Sequence, residues 1–423
     1  MLNILYSLLF YLVSPFFIYA LYKKKKGKPT IGRRWKEHFG YPPKLKSTQN
    51  PIWIHAVSVG EVIAVSPFIK QFKQKYPTQS IVLTTTTSTG AAQAEKLGPL
   101  IEHRYMPLDF SFAIKRFIKI ISPQQLIIME TELWPNTLAI TAKHNIPITI
   151  LNARLSERSF LRYQKIKGIF DLLAKNIDLI LCQTNEDATR FISLGIKEKN
   201  IQITGSIKYD INIENVDIIK AKNLKKQIED RPVWIACSTH SGEDEILLNA
   251  HKNLLNKIPN ALLILVPRHP ERFSNVLSLI QSLKLKSLAR SSQSPLTKDV
   301  EVYLADTMGE MMALISVANV CFMGGSLLGD KVGGHNLLEP AYLGKPILNG
   351  PSFYNFKEIA TQLINIKACT ICHNQNDIFQ NLNTLLRSET LQKKQGSAAQ
   401  QMVEKNKGAI SKSIHYLERF ISL

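Results

Sequence analysis

No charged side chain occurs in the first 22 residues of this 423-residue chain. As a helix those residues would extend about 33 Å, enough to cross the hydrocarbon core of a bilayer. A cleaved leader would carry a basic stretch ahead of the apolar run. Here the cations follow it, as Lys23, Lys24, Lys25 and Lys26. Residues 1–22 are therefore expected to be an uncleaved anchor that crosses the membrane once. The positive-inside rule then puts everything after them in the cytoplasm. Cysteine is also scarce, with five residues (Cys182, Cys237, Cys321, Cys369, Cys372). An odd, scattered count argues against a disulfide framework. Cys369 and Cys372 form one CxxC pair with no second pair to complete a zinc site, so all five are expected to be buried structural thiols. No GxGxxG follows an early strand, which argues against a dinucleotide dehydrogenase. No nucleic-acid motif and no stacking series of aromatic residues accompany the positive charge.

Acidic residues are in deficit. Lys and Arg number 53 against 33 Asp and Glu, a net charge of +20. That excess favours a polyanionic partner and leaves the fold open. It is densest between Lys23 and Lys46, where ten basic residues face one acid, Glu37, with Trp35, Phe39 and Tyr41 interleaved. Residues 23–50 read as a basic juxtamembrane segment drawn to anionic headgroups, at about 1 kcal/mol per cation. The same run also serves as a topology signal and solvated linker.

From residue 51 the pattern is α/β. Short apolar runs alternate with longer helical stretches at 52–57, 80–85, 126–129, 148–151 and 179–182, then at 233–237, 261–266, 300–304, 320–323 and 346–348. Buried parallel strands read this way, and right-handed crossovers then give doubly wound sheets. The charged, Asn-rich stretch 208–231 breaks the series. Two Rossmann-like domains are expected, at 51–215 and 230–423, in the size range for a chain of this length.

Ligands of such sheets bind past the carboxyl ends of the strands, so motifs there carry most weight. They are His55-Ala-Val-Ser-Val-Gly-Glu61, Met129-Glu-Thr-Glu-Leu-Trp-Pro-Asn136, Pro267-Arg-His-Pro-Glu-Arg272, Asp306-Thr-Met-Gly-Glu-Met311 and Met323-Gly-Gly-Ser326 leading to Gly333-Gly-His-Asn-Leu-Leu-Glu-Pro340. Glycines in the last segment would let backbone N–H groups approach a phosphate at a helix N-terminus. An ordinary strand-to-helix turn would use them too. Glu61, beside a helix start, reads equally as a capping acid. Arg154, Arg158, Arg162, Lys165 and Lys167 follow Leu151-Asn-Ala-Arg-Leu-Ser156. Arg158, Arg162 and Lys165 share one helix face, which suits contact with phosphate or a solvated face.

Taken together and in order, HAVSVGE, METELWPN, LNARLS, GSIKYD, PRHPER, DTMGEM and GGHNLLEPA resemble the motifs of the bacterial Kdo (3-deoxy-D-manno-octulosonate) transferases of lipopolysaccharide synthesis. The resemblance spans the whole chain, including the anchor and GRRWKEHFG. It implies a GT-B fold of two domains facing a cleft, the first for the acceptor and the second for the donor CMP-Kdo. It further implies inverting transfer to a lipid A precursor at the inner membrane, with no cofactor and no metal. Residue by residue, it makes Glu61 the general base and makes Glu130 and Lys208 stabilisers of the transition state. Arg268, His269, Gly309, Glu310, Met311, Asn336, Leu337, Leu338 and Glu339 become the CMP site. Arg154, Arg158 and Arg162 are candidates for the acceptor. Leu337 departs from the family, which more often has proline there. A GT-B enzyme using a UDP-sugar on a membrane lipid is the alternative.

Overall fold

The computed structural model describes residues 2–23 and 29–421. Lys24, Lys25, Lys26 and Lys28 of the expected basic collar lie outside the described residues. The chain forms two compact units, one of Met1–Asp210 with Asn406–Leu423 and one of Ile211–Lys405.

In the first unit seven strands are β1 Ile52–His55, β2 Ile81–Thr85, β3 Glu102–Tyr105, β4 Gln125–Met129, β5 Ile148–Ala153, β6 Leu179–Cys182 and β7 Ile201–Ile203. Their order is β3-β2-β1-β4-β5-β6-β7, and every pairing is parallel. Alternate residues feed two cores. Trp53, Leu126, Ile128 and Ile180 pack on one face, and Ile52, Ile54, Ile127 and Leu179 on the other. Helices cover both faces, which is why these strands read as unbroken apolar runs.

The second unit repeats the plan with β8 Val233–Thr239, β9 Leu262–Pro267, β10 Ser287–Ala289, β11 Val302–Leu304, β12 Val320–Met323, β13 Ile347–Asn349 and β14 Cys369–Ile371. The order is β10-β11-β9-β8-β12-β13-β14. Two doubly wound α/β units of this kind make a GT-B-like fold. All five cysteines are free and buried.

One boundary differs from expectation. The second unit does not run to residue 423, because the helix Ala409–Leu417 belongs to the first. Its Ala409, Ile410, Ile414 and Leu417 complete the core around Val62 and Phe68. Asp210 fixes its start by accepting from the Gly408 and Ile410 N–H groups at 2.6 and 2.5 Å. Strand patterning carries no trace of such a return, since it joins the sheet's cover and not the sheet.

Candidate active site

β1 is buried throughout and the chain then turns into the helix Val59–Lys75. Ser58 caps this helix, its hydroxyl accepting from the Glu61 N–H. Glu61 reciprocates: its carboxylate accepts from the Val57 N–H at 2.9 Å and the Ser58 hydroxyl at 3.0 Å. This is a capping box moved one residue along the backbone. Capping alone would favour the anion. Burial works against it and raises the Glu61 carboxyl above its ordinary value. The bonds from Val57 and Ser58 pull it back, while Glu130 and Glu132 push it up again. A half-buried carboxyl raised in this way is a better proton acceptor than an ordinary surface glutamate.

Glu130 follows β4 with φ 57°, a left-handed conformation costing about 1–3 kcal/mol for a non-glycine residue. Lys208 Nζ lies 3.8 Å from Glu130 Oε1, and both side chains are more than a third exposed. Such a pair contributes at most about 1 kcal/mol to stability, so it does little for folding. Lys208 sits on the turn Ile207–Tyr209, which the Ile207 N–H ties to Asn152 Oδ1 at 3.1 Å. Asn152 is buried in the irregular end of β5, also at φ 57°, and its Nδ2 has no partner. Glu132 is raised by burial and then by Glu130. The first unit thus gathers Glu61, Glu130, Glu132 and Lys208. Neither loop glutamate caps the turn at Asn136. Asp109 does, accepting from the Asn136 and Thr137 N–H groups at 3.0 and 2.7 Å, and burial pushes it up to about 6.

The helix Glu157–Lys165 starts at Ser156, whose hydroxyl accepts from the Ser159 N–H. Arg158, Leu161, Arg162 and Lys165 of this helix, with Glu157, line an open cavity of about 370 Å³. Arg154 is exposed at the end of β5 and is not part of that lining.

In the second unit β8 ends in an irregularity at Ser238 (φ 54°) and leads to His240. His240 Nε2 lies 2.8 Å from His335 Nε2, the rings stacked with centroids 5.1 Å apart. His269 meets His240 edge-on at 5.3 Å. Arg268 follows β9, its N–H donating to Thr239 O at 3.0 Å. Burial, His240, Arg268 and His269 hold the His335 imidazole down at about 4. Burial raises Glu339, against which the Asn336 amide and the Arg268 charge act. Arg268, His269, Asn336 and Glu339 therefore share one neighbourhood. No group of three or more His, Cys, Asp or Glu able to hold a metal ion occurs among the described residues.

Three observations bear on how the motif residues could meet a ligand. The Gly325 and Ser326 N–H groups do not await a phosphate. With those of Leu327 and His240 they donate to the buried Glu243 carboxylate at 2.7–3.0 Å. Gly324 instead allows a close approach, since a Cβ there would lie 2.8 Å from Ser238 O. Leu337 and Leu338 are buried core side chains, leaving only their backbone for a ligand. The Glu310 carboxylate is already taken by Arg290 at 2.5 and 2.9 Å and by Lys220 at 3.0 Å. Arg290 holds it down at about 2, so Glu310 too could meet a nucleotide only through its backbone. Its neighbour Gly309 has φ 80° and Met311 starts the helix Met311–Val317.

Sequence reading also passed over His240, His335 as its partner, and Glu243. His240 and Glu243 stand just past β8, the position that singled out Glu61 after β1.

Residues 33–211 match the family model described as 3-Deoxy-D-manno-octulosonic-acid transferase (kdotransferase). The chain is 39% identical over 402 residues to the 3-deoxy-D-manno-octulosonic acid transferase of Haemophilus influenzae, covering 93% of this chain and 92% of that one. It is 30% identical over 428 residues to the enzyme of the same name from Rickettsia bellii, covering 99% and 100%. Among solved structures, the UDP-GlcNAc 2-epimerase from Neisseria meningitidis superposes with a TM-score of 0.58 at 14% identity, covering 88% of this chain and all of that one. That likeness shows the fold alone. The C-terminal CMP-Kdo binding domain of WaaA from Acinetobacter baumannii is 34% identical, with 45% of this chain and all of that one covered at a TM-score of 0.43.

Proposed function

The chain belongs to the 3-deoxy-D-manno-octulosonic acid transferase family, and on that premise we propose that it transfers Kdo from CMP-Kdo to a lipid A precursor in lipopolysaccharide synthesis. The observation that carries the mechanism is the raised carboxyl of Glu61, held past β1 beside Glu130, Glu132 and Lys208. In this reading the acceptor hydroxyl oxygen bonds to the Kdo anomeric carbon from the face opposite the phosphate. The carbon–phosphate oxygen bond breaks, CMP leaves with that electron pair, and Glu61 takes the hydroxyl proton. Inversion follows from the single displacement. Lys208 offsets negative charge gathering at the reacting centre, with Glu130 orienting it.

The second unit holds the donor. Arg268 takes phosphate, Glu339 accepts from ribose hydroxyls, and Gly309 to Met311 and Asn336 to Leu338 contribute through backbone groups and the Asn336 amide. The leaving phosphate's charge is met by the Arg268 guanidinium without a metal, with His269 beside it and the neutral His240 and His335 pair lining the same pocket. Arg158 and Arg162, with Lys165, meet acceptor phosphate, and Arg154 lies next to them in sequence. The apolar segment Leu5–Tyr22 and the basic residues after it support a place on the cytoplasmic face of the inner membrane.

A thermal-shift comparison tests the donor assignment. A ligand at 100 times its Kd stabilises the native state by about 2.7 kcal/mol. CMP should raise the unfolding midpoint, and UMP and UDP should leave it. A shift with UDP and none with CMP would transfer the chain to the UDP-sugar alternative.

A further inference from the structure

The helix Leu2–Tyr22 is fastened to the first unit at both ends. Near its start the Tyr6 hydroxyl donates to Asp109 Oδ2 at 3.0 Å and the Ser7 hydroxyl to Asn136 Oδ1 at 3.0 Å. The rings of Phe10 and Tyr11 lie 5.1 and 4.9 Å from that of Phe110. At the other end the Tyr22 hydroxyl sits 2.6 Å from His38 Nδ1, and Leu21 and Tyr22 pack on Ile31, Ala91 and Tyr105.

Tyr6 and Tyr22 are separated by about 24 Å of helix. An upright helix with Tyr22 at the cytoplasmic interface would carry Tyr6 most of the way through a core about 30 Å thick. Asp109 and Asn136, whose side chains accept from Tyr6 and Ser7, would go with it. Each charged side chain at that depth costs about 2.5–3.5 kcal/mol or more. Both fastenings and an upright crossing do not fit together.

The side chains confirm which way the helix faces. Tyr6, Phe10, Ser14, Ile18 and Leu21 recur at helical spacing on the covered stripe. The outward stripe is open and apolar, with Leu8, Leu9, Leu12, Phe16 and Phe17 all more than half exposed. Water is a poor neighbour for such a surface. Trp35, Tyr41 and Phe112 are exposed on the same unit, as are Lys23, Arg33, Lys36, Lys44 and Lys46. Exposed aromatic rings with cations suit the headgroup region of an anionic leaflet.

We propose that this helix is a strap lying flat in the cytoplasmic leaflet of an anionic bilayer, with its outward face among the acyl chains, and that it does not cross the membrane. The proposal departs from the single crossing expected from length and hydropathy. It rests on the reading that the protein works at a membrane. It also gives the strap a route to the chemistry: Asp109, which accepts from Tyr6, caps the helix Pro135–Lys143 that follows the loop of Glu130 and Glu132.

The test uses the full chain carrying Asn3→Cys in right-side-out and inverted inner-membrane vesicles, probed with a membrane-impermeant maleimide. The native cysteines are buried and give the background. Labelling is expected only from the cytoplasmic face, and labelling from the outer face would overturn the proposal. A second variant, Tyr11→Cys with Phe110→Cys, should be joined in undenatured membranes by a bis-maleimide whose spacer spans the two replaced rings, which lie 4.9 Å apart. Absence of that cross-link would also overturn it. Failure of the wild-type chain to sediment with membranes would instead remove the membrane reading on which the strap depends.

Discussion

The two units place a glutamate at the same point of the fold and use it in opposite ways. Each leads its β1-equivalent strand through a short loop into a helix, with Glu61 in the first turn of one and Glu243 at the start of the other. Glu61 is half open and accepts from one backbone N–H and one hydroxyl. Its surroundings add two further carboxylates. Glu243 is fully buried and accepts from four backbone N–H groups drawn from two loops. Four fixed donors leave a carboxylate nothing to do but hold the loops together. Position past a strand therefore marks a candidate, and the count of donors around it separates a reactive group from a structural one.

The sharpest break between the two should come from Glu61→Gln. Losing a general base costs roughly 100- to 10,000-fold in rate, and CMP affinity should stay near wild type. Because the carboxylate must be ionised to take a proton, kcat/KM should fall as pH drops through a pKa higher than that of an ordinary glutamate. Steady-state assays across pH read both effects, and activity within about threefold of wild type would remove Glu61 as base. Glu243→Ala should do the reverse. It strands four buried donors, each worth about 1–3 kcal/mol when unsatisfied. Chemical denaturation should show at least about 3 kcal/mol of lost stability, which no change of substrate concentration restores.

Acid should not distinguish the units. Burial holds His55 in the first and His251 in the second down at about 4, against about 6.5 when unfolded. Between those values the unfolded chain binds the extra proton. The stability each group contributes is therefore complete above about 6.5 and lost as pH falls to about 4, roughly 3 kcal/mol apiece. Denaturation midpoints followed from pH 7 to pH 4 should fall for probes in both units together. The smallest effect belongs to the donor pocket. Arg268→Ala and Glu339→Ala each remove a charge-assisted contact worth about 1.5–3 kcal/mol. Calorimetric titration should find CMP bound more weakly by either variant, and unchanged Kd values for both would place the nucleotide elsewhere.

Ten of the strands stand out in the sequence because both sheet faces are covered, so Trp53 and Ile54 or Leu126 and Ile127 are apolar alike. The four passed over, Glu102–Tyr105, Ile201–Ile203, Ser287–Ala289 and Cys369–Ile371, are the four edge strands. An edge is short and partly wet, and a segment such as Glu102-His-Arg-Tyr105 keeps no apolar run to read. The motif residues were legible as loops past strands, and the structure gathers Glu61, Glu130 and Lys208 in one unit and Arg268, His269, Asn336 and Glu339 in the other. What the motifs hid was the direction of each side chain. Glu310 turns to Arg290, Leu337 to the core, and the glycine-loop amides to Glu243, because those partners come from distant segments. The same distance concealed the return of the helix Ala409–Leu417 to the first unit.

Mass spectrometry of the products formed by the full chain from CMP-Kdo and the disaccharide lipid A precursor tests the assigned reaction most directly. The precursor should gain the mass of one or more Kdo residues, with CMP released in equal amount. An unchanged precursor with CMP-Kdo, alongside a hexose or N-acetylhexosamine increment when a UDP-sugar is supplied, would contradict it.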